Sequence, residues 1–140
     1  HLEFRLAHMP KARGQSRSNS GLFFGGEYEV QILDSYGLEG VYDECGALYK
    51  VSAPHVNATA PPLQWQTYDV DFTNAVVKDG RKLKNTLLTI RLNGIVIHNN
   101  IEIDSKCPGS RSGPEGRPGP IRLQGHDNPL QFRNIWFVEK

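Results

Sequence analysis

The chain has 140 residues, 38% of them hydrophobic and 22% charged, with a formal net charge of +1. That size fits a single domain, residues 1–140, with enough apolar content to bury a core. Its balance of 16 Lys and Arg against 15 Asp and Glu argues against a nucleic-acid or membrane-surface protein, and no apolar run nears the ~20 residues of a membrane span. Fourteen Gly and nine Pro leave little room for long helices and favour short strands joined by turns.

Residues 1–6 alternate and predict a strand. Residues 10–18 form a polar loop whose Lys11, Arg13 and Arg17 read as a solvated surface. Apolar segments 20–24 and 28–33 flank Gly25-Gly26, which is a hairpin pattern. In the second segment Tyr28, Val30 and Ile32 take one face and Glu29, Gln31 and Leu33 the other, so the strand has a wet side. Residues 34–46 read as a long polar loop and 47–51 as a short strand. The prolines within 53–63 make that stretch irregular. From 65 to 72 alternation returns, with Tyr68, Val70 and Phe72 inward and Trp65, Thr67, Asp69 and Asp71 on the other face. Residues 73–84 read as a charged connection.

The segments LLTIRL and IVIHNNIEI flank Asn93-Gly94, a preferred pair for a type I′ hairpin turn. A two-residue loop sets Leu92 opposite Ile95, Ile90 opposite Ile97 and Thr89 opposite His98. Leu88, Ile90, Leu92, Ile95 and Ile97 then share the core face, and His98 lies at the surface. Residues 104–120, rich in Gly, Pro and Ser, are a loop, and loops of that length in compact domains are often functional. The last strands are 121–125 and 130–138, the second carrying Trp136 into the core, with His126-Asp127-Asn128-Pro129 turning between them. No segment has a helical period. The expected class is all-β: a two-sheet antiparallel β-sandwich with helix below about a tenth of the chain.

Chemistry-bearing motifs are sparse. Nucleotide-binding, zinc-protease and serine-hydrolase fingerprints are absent. Cys45 and Cys107 would pair only in an oxidising compartment and only if the fold brings them close. Asn57-Ala58-Thr59 is a formal glycosylation sequon. One constellation emerges from separate strands. Glu29 and Gln31 share a polar strand face with Asp34 just past its end, and Arg122, Gln124 and His126 share another. If both strands join one sheet, these groups converge on one concave surface suited to sugar hydroxyls or proton transfer. Trp65 is a candidate for stacking on a sugar ring. Glu29 alone also reads as a solvated strand charge, and His126 as a loop cap.

The runs NSGLFF (19–24), YEVQILDSYG (28–37), CGALYK (45–50), PPLQWQTYD (61–69), LNGIVIHNN (92–100) and GPIRLQGHDNPLQFRNIW (119–136) together resemble the DUF1080 family. Its members are also called 3-keto-disaccharide hydrolase, or 3-keto-glucoside 1,2-lyase/3-keto-2-hydroxyglucal hydratase, domains. The resemblance implies a concanavalin A-like jelly roll, a carbohydrate substrate and a bacterial, periplasmic or extracellular setting. It implies cleavage of 3-keto-glycosides by β-elimination and hydration, with His126 or Glu29 as base. Substrate contacts would come from Gln31, Asp34, Trp65, Arg122 and Gln124. A divalent cation is an open option, with Glu29, Asp34 and His126 as candidate ligands and Gln31 beside them. Family members carry further N-terminal strands ahead of the EFR stretch at which this chain begins, so part of one sheet is expected to be missing. The competing reading is a noncatalytic carbohydrate-binding or structural jelly-roll module, since fold does not fix function.

Overall fold

A computed structural model describes residues 1–139. Ten strands follow one another: β1 (Leu2–Arg5), β2 (Ser20–Phe24), β3 (Tyr28–Ile32), β4 (Trp65–Thr73), β5 (Val76–Lys78), β6 (Arg81–Lys84), β7 (Thr86–Leu92), β8 (Ile95–Ile103), β9 (Ile121–Leu123) and β10 (Gln131–Arg133). The only helical segment among the described residues is a 3₁₀ turn at Gly14–Ser16. A five-stranded sheet runs β10-β1-β4-β7-β8, and a three-stranded sheet runs β3-β2-β9. Every pairing is antiparallel. No helix among the described residues is long and apolar enough to cross a membrane.

The two sheets face each other across a core set by period-two alternation. Tyr28, Val30 and Ile32 from β3 are buried against Leu2, Phe4, Tyr68, Leu88, Ile90 and Leu92 from the larger sheet. Each large side chain withdrawn from water in this way contributes about 1.5–3 kcal/mol. Rings bridge the layers: Phe72 of β4 stacks on Phe24 of β2 at 5.0 Å and meets Tyr28 of β3 at 5.8 Å. This is the two-sheet sandwich that the alternation predicts, in agreement with the jelly roll that the resemblance implies.

Several local expectations fail for identifiable reasons. Residues 73–84 are not a mere connection but hold the β5–β6 hairpin, bulged between Val76 and Val77. Its strands are too short and too charged to show a period. Residues 47–51 form no strand, because the chain doubles back there and Leu48 makes only single bridges, to Val30 and Ser52. The last strand stops at Arg133, and Trp136 is half-exposed rather than core, its ring stacked on His1 at 5.2 Å.

The β7–β8 register departs most instructively. The turn forms as expected, Asn93 with φ 54°, and Leu92 faces Ile95. Irregularities between Leu88 and Arg91 then slip the pairing, so Ile90 faces His98 rather than Ile97, and Thr89 is not its partner. A slip of one residue exchanges the two faces of a strand. His98 is therefore fully buried instead of surface-facing, with Nε2 2.9 Å from the Gly46 carbonyl, and Ile95 is half-exposed. Desolvation holds the His98 imidazole below its ordinary pKa.

The pairing left open for Cys45 and Cys107 is not made; both thiols are free and buried. Each has a different partner. Cys45 Sγ lies 3.3 Å from the Tyr68 hydroxyl, and Cys107 Sγ accepts the Glu29 N–H at 3.3 Å. The amide of Asn57, in the sequon, donates to the carbonyls of Ser35 and Leu38 at 2.7 and 2.9 Å.

Candidate functional site

Strand β2 lies between β3 and β9, and Phe23 is paired with Glu29 on one side and Arg122 on the other. Paired residues of neighbouring strands project from the same face, about 5 Å apart per strand. Glu29, Phe23 and Arg122 therefore stand in a row facing away from the core. The Arg122 guanidinium lies 4.2 Å from the centre of the Phe23 ring, which serves as its platform.

This row floors a cleft of about 310 Å³. Its walls include Glu29, Gln31, Arg122, Gln124 and His126, the set read from strand alternation. The rest come from loops and were not anticipated: Gln15 and Asn19 before β2, Tyr49 and Lys50 between β3 and β4, and Pro108 and Gly109 before β9. Phe23 itself was legible, since it shares the outward period of its strand.

The loops change the character of the β3 outer face. Expected to be wet, it is covered, with Glu29 only 4% and Gln31 only 1% exposed. Glu29 accepts no hydrogen bond at its carboxyl from any described residue. Burial pushes its pKa up from 4.5 to about 7, and the positive Arg122 offsets part of that rise. A carboxylate near neutrality is equally available as acid or base at physiological pH.

The amides behave differently. Gln31 donates from Nε2 to Gln15 Oε1 at 2.9 Å and to Asn19 Oδ1 at 3.4 Å. Asn19 donates to the Gln15 carbonyl at 2.7 Å, and its own N–H reaches Asn128 Oδ1 at 2.8 Å. Asn128 in turn donates to the His126 carbonyl at 3.0 Å, so the turn bearing His126 is tied to the amide network. Gln124 buries Oε1 without a partner, leaving hydrogen-bonding capacity in the cleft wall.

The core also reaches this site. Tyr68, fully buried, donates its hydroxyl to the Gln31 carbonyl at 2.7 Å. Tyr68→Phe removes that bond and the 3.3 Å contact with Cys45 Sγ, while the Gln31 carbonyl keeps the Gly46 N–H at 3.0 Å, so the expected cost in urea unfolding is about 0.5–1.5 kcal/mol. No loss of stability would show that the bond is replaced without cost.

Two candidates lie elsewhere. Asp34 is in a separate depression with Arg17, whose Nε is 3.3 Å from Asp34 Oδ2 and whose Nη2 donates to the Asp34 carbonyl at 2.6 Å. Its chain direction past the end of β3 carries it away from the cleft. Trp65, on the other sheet, has the guanidinium groups of Arg5 and Arg133 over its ring, 5.1 and 3.9 Å from the ring centre. Its ring is already engaged by guanidinium groups. With Asp34 absent from the cleft, Glu29, Asp34 and His126 do not share a donor set, and no group of three acidic, His or Cys side chains suited to a metal occurs among the described residues.

Two stacked antiparallel sheets, one of them carrying a cleft lined by a carboxyl, an imidazole and amides, define a jelly-roll protein with a polar cleft on its smaller sheet. The chain belongs to the 3-keto-alpha-glucoside-1,2-lyase-like domain family, which it matches over residues 1–138. It is similar to a crystal structure of a proposed glycosyl hydrolase from Parabacteroides distasonis ATCC 8503, with 34% identity and a TM-score of 0.83. That match covers 96% of this chain and 60% of the other, so the chain spans less than two thirds of that protein's length. A second proposed glycosyl hydrolase from the same organism shares the fold at 18% identity and a TM-score of 0.59, covering 95% of this chain and 67% of that one. No curated protein matches the chain in sequence.

Proposed function

We propose that the cleft cleaves 3-keto-glycosides by β-elimination followed by hydration, with Glu29 as the base. The observation that carries this reading is the Glu29 carboxyl: inside the cleft, free of hydrogen bonds and poised near pH 7. A 3-keto group acidifies the neighbouring C2–H. Glu29 removes that proton, and the electron pair forms an enolate between C2 and C3. Collapse of the enolate restores the C3 carbonyl, forms a C1–C2 double bond and expels the C1 oxygen. In this reading Arg122 stabilises the enolate oxygen and His126 gives the departing oxygen its proton. Water then adds at C1 and a proton returns to C2, giving a 3-keto sugar and a free alcohol. Gln31 and Gln124 would bind ring hydroxyls. None of these steps is routed through a metal.

Turnover of a 3-keto-disaccharide in heavy water tests the route. Elimination and hydration place solvent deuterium on C2 of the released 3-keto sugar, whereas direct hydrolysis leaves the original hydrogen there. Deuterium at C2 above the uncatalysed exchange rate is the expected result, and His126→Ala is expected to slow release about 10²-fold. Retention of the C2 hydrogen would remove the elimination step. Binding without any release would favour the noncatalytic carbohydrate-binding module.

A further inference from the structure

Glu27 follows the Gly25-Gly26 turn of the β2–β3 hairpin, where solvent access is ordinarily greatest, yet it is fully buried. The 104–120 loop covers it. Glu27 Oε1 meets Arg111 Nε at 3.3 Å, and Oε2 accepts the Gly116 N–H at 3.2 Å. Its carbonyl accepts the Cys107 N–H at 3.0 Å and the Ser110 hydroxyl at 2.7 Å. Arg111 adds its own N–H to the Gly26 carbonyl at 2.9 Å, and its guanidinium holds the carbonyls of Arg117 and Pro118. Both ends of a long loop thus converge on one residue. The packing leaves no slack: a Cβ on Gly119 would lie 2.7 Å from the Gly25 carbonyl oxygen.

The near end of this loop is a wall of the cleft. Pro108 and Gly109 line it, and Cys107 holds the Glu29 N–H from behind. We propose that Glu27 is a positioning residue, clamping the 107–117 segment to the hairpin and so closing the wall that keeps water from the Glu29 carboxyl. This rests on the reading of Glu29 as base. Burial is the largest cause of the rise in its pKa, and the wall is one part of that burial. The ionisable groups facing Glu29 are Arg122, Tyr49, Lys50 and His126 around the cleft, and Cys107, itself pushed up to about 12 by burial. Arg122, Lys50 and His126 sit on other segments. Loosening the loop therefore changes the hydration of Glu29 while those charges stay in place.

Two thiols make the clamp measurable in the full chain. Cys107 reports on the loop, and Cys45, buried in the core, reports on global opening. In Glu27→Gln and in Arg111→Met, peptide-resolved alkylation by iodoacetamide is expected to run about tenfold faster or more at Cys107 and unchanged at Cys45. Arg111→Lys keeps the charge and is expected to stay within about threefold of the parent. In Glu27→Gln and Arg111→Met the carbon-13 titration midpoint of the Glu29 carboxyl is expected to fall by about one pH unit or more. An unchanged Cys107 rate, both thiols accelerating together, or a midpoint fixed near 7 overturns the clamp. Should Glu27→Gln fail to fold, Arg111→Met, altered at a partly exposed side chain, carries the same test. Neither readout needs turnover, so failure of the elimination reading in heavy water leaves this result standing or falling on its own.

Discussion

Replacing Glu29 with Gln is expected to lower kcat/KM for a 3-keto-glucoside by about 10²–10⁴-fold, the ordinary worth of a positioned general base. The substitution preserves shape and removes only the capacity to take a proton. The parent protein should show a rate that rises with pH through about 7, because the base works ionised. The Gln variant should lose that rising limb. Parent-like activity in Glu29→Gln would transfer the role of base to another group, with His126 first in line on the same cleft.

The same variant carries an opposite effect on stability. In the unfolded chain Glu29 titrates at its ordinary value of 4.5, and in the folded chain burial raises it to about 7. The folded state therefore holds the proton more tightly. That contribution to stability is fully present below 4.5 and is lost as pH rises through about 7. Gln stays neutral throughout and avoids the loss. Its stability advantage should be small at pH 5 and level above neutrality, at about 1–2 kcal/mol once the open side of the cleft is allowed for. Guanidinium unfolding at the two pH values measures it. A pair of residues chosen for packing alone would show no such trade between activity and stability.

How much of this was visible beforehand follows from the reach of each signal. Period-two alternation is local, and it placed Glu29, Gln31, Arg122 and Gln124 outward on strands that do share a sheet. It could not show that loops lie over that face. The wall residues Tyr49, Lys50, Pro108 and Gly109 come from segments without a period, and their arrival over β3 depends on contacts such as Glu27 with Arg111, far apart in sequence. The same limit explains Trp65. Alternation sets its face of β4, but the guanidinium groups that engage its ring come from β1 and β10. His98 was misplaced because a bulge in β7–β8 changes which face a residue occupies, and bulges leave no mark in a pattern of apolar residues. Asp34 lies just past the strand, where the period no longer constrains direction.

Gly21→Ala separates the position of the base from its chemistry. Gly21 lies in β2, paired with Gln31, and the Glu29 side chain leans across it. A Cβ there would fall 2.2 Å from Glu29 Oε1 and 2.9 Å from Cδ. No carboxyl tolerates that approach, so the head group must swing aside. Backbone geometry does not oppose the change, because Gly21 lacks the positive φ that disfavours side chains. Alanine also suits a strand better than glycine, by about 0.5–1 kcal/mol, which offsets the crowding. The variant is expected to unfold within about 1 kcal/mol of the parent while kcat/KM falls about 10²-fold, the cost of displacing a reacting group by about 1 Å. Its pH–rate limb should also move to lower pH, since a carboxyl turned out of the cleft regains water. Undiminished turnover in Gly21→Ala, with the fold intact, would mean that the carboxyl is not held where the C2 proton must leave.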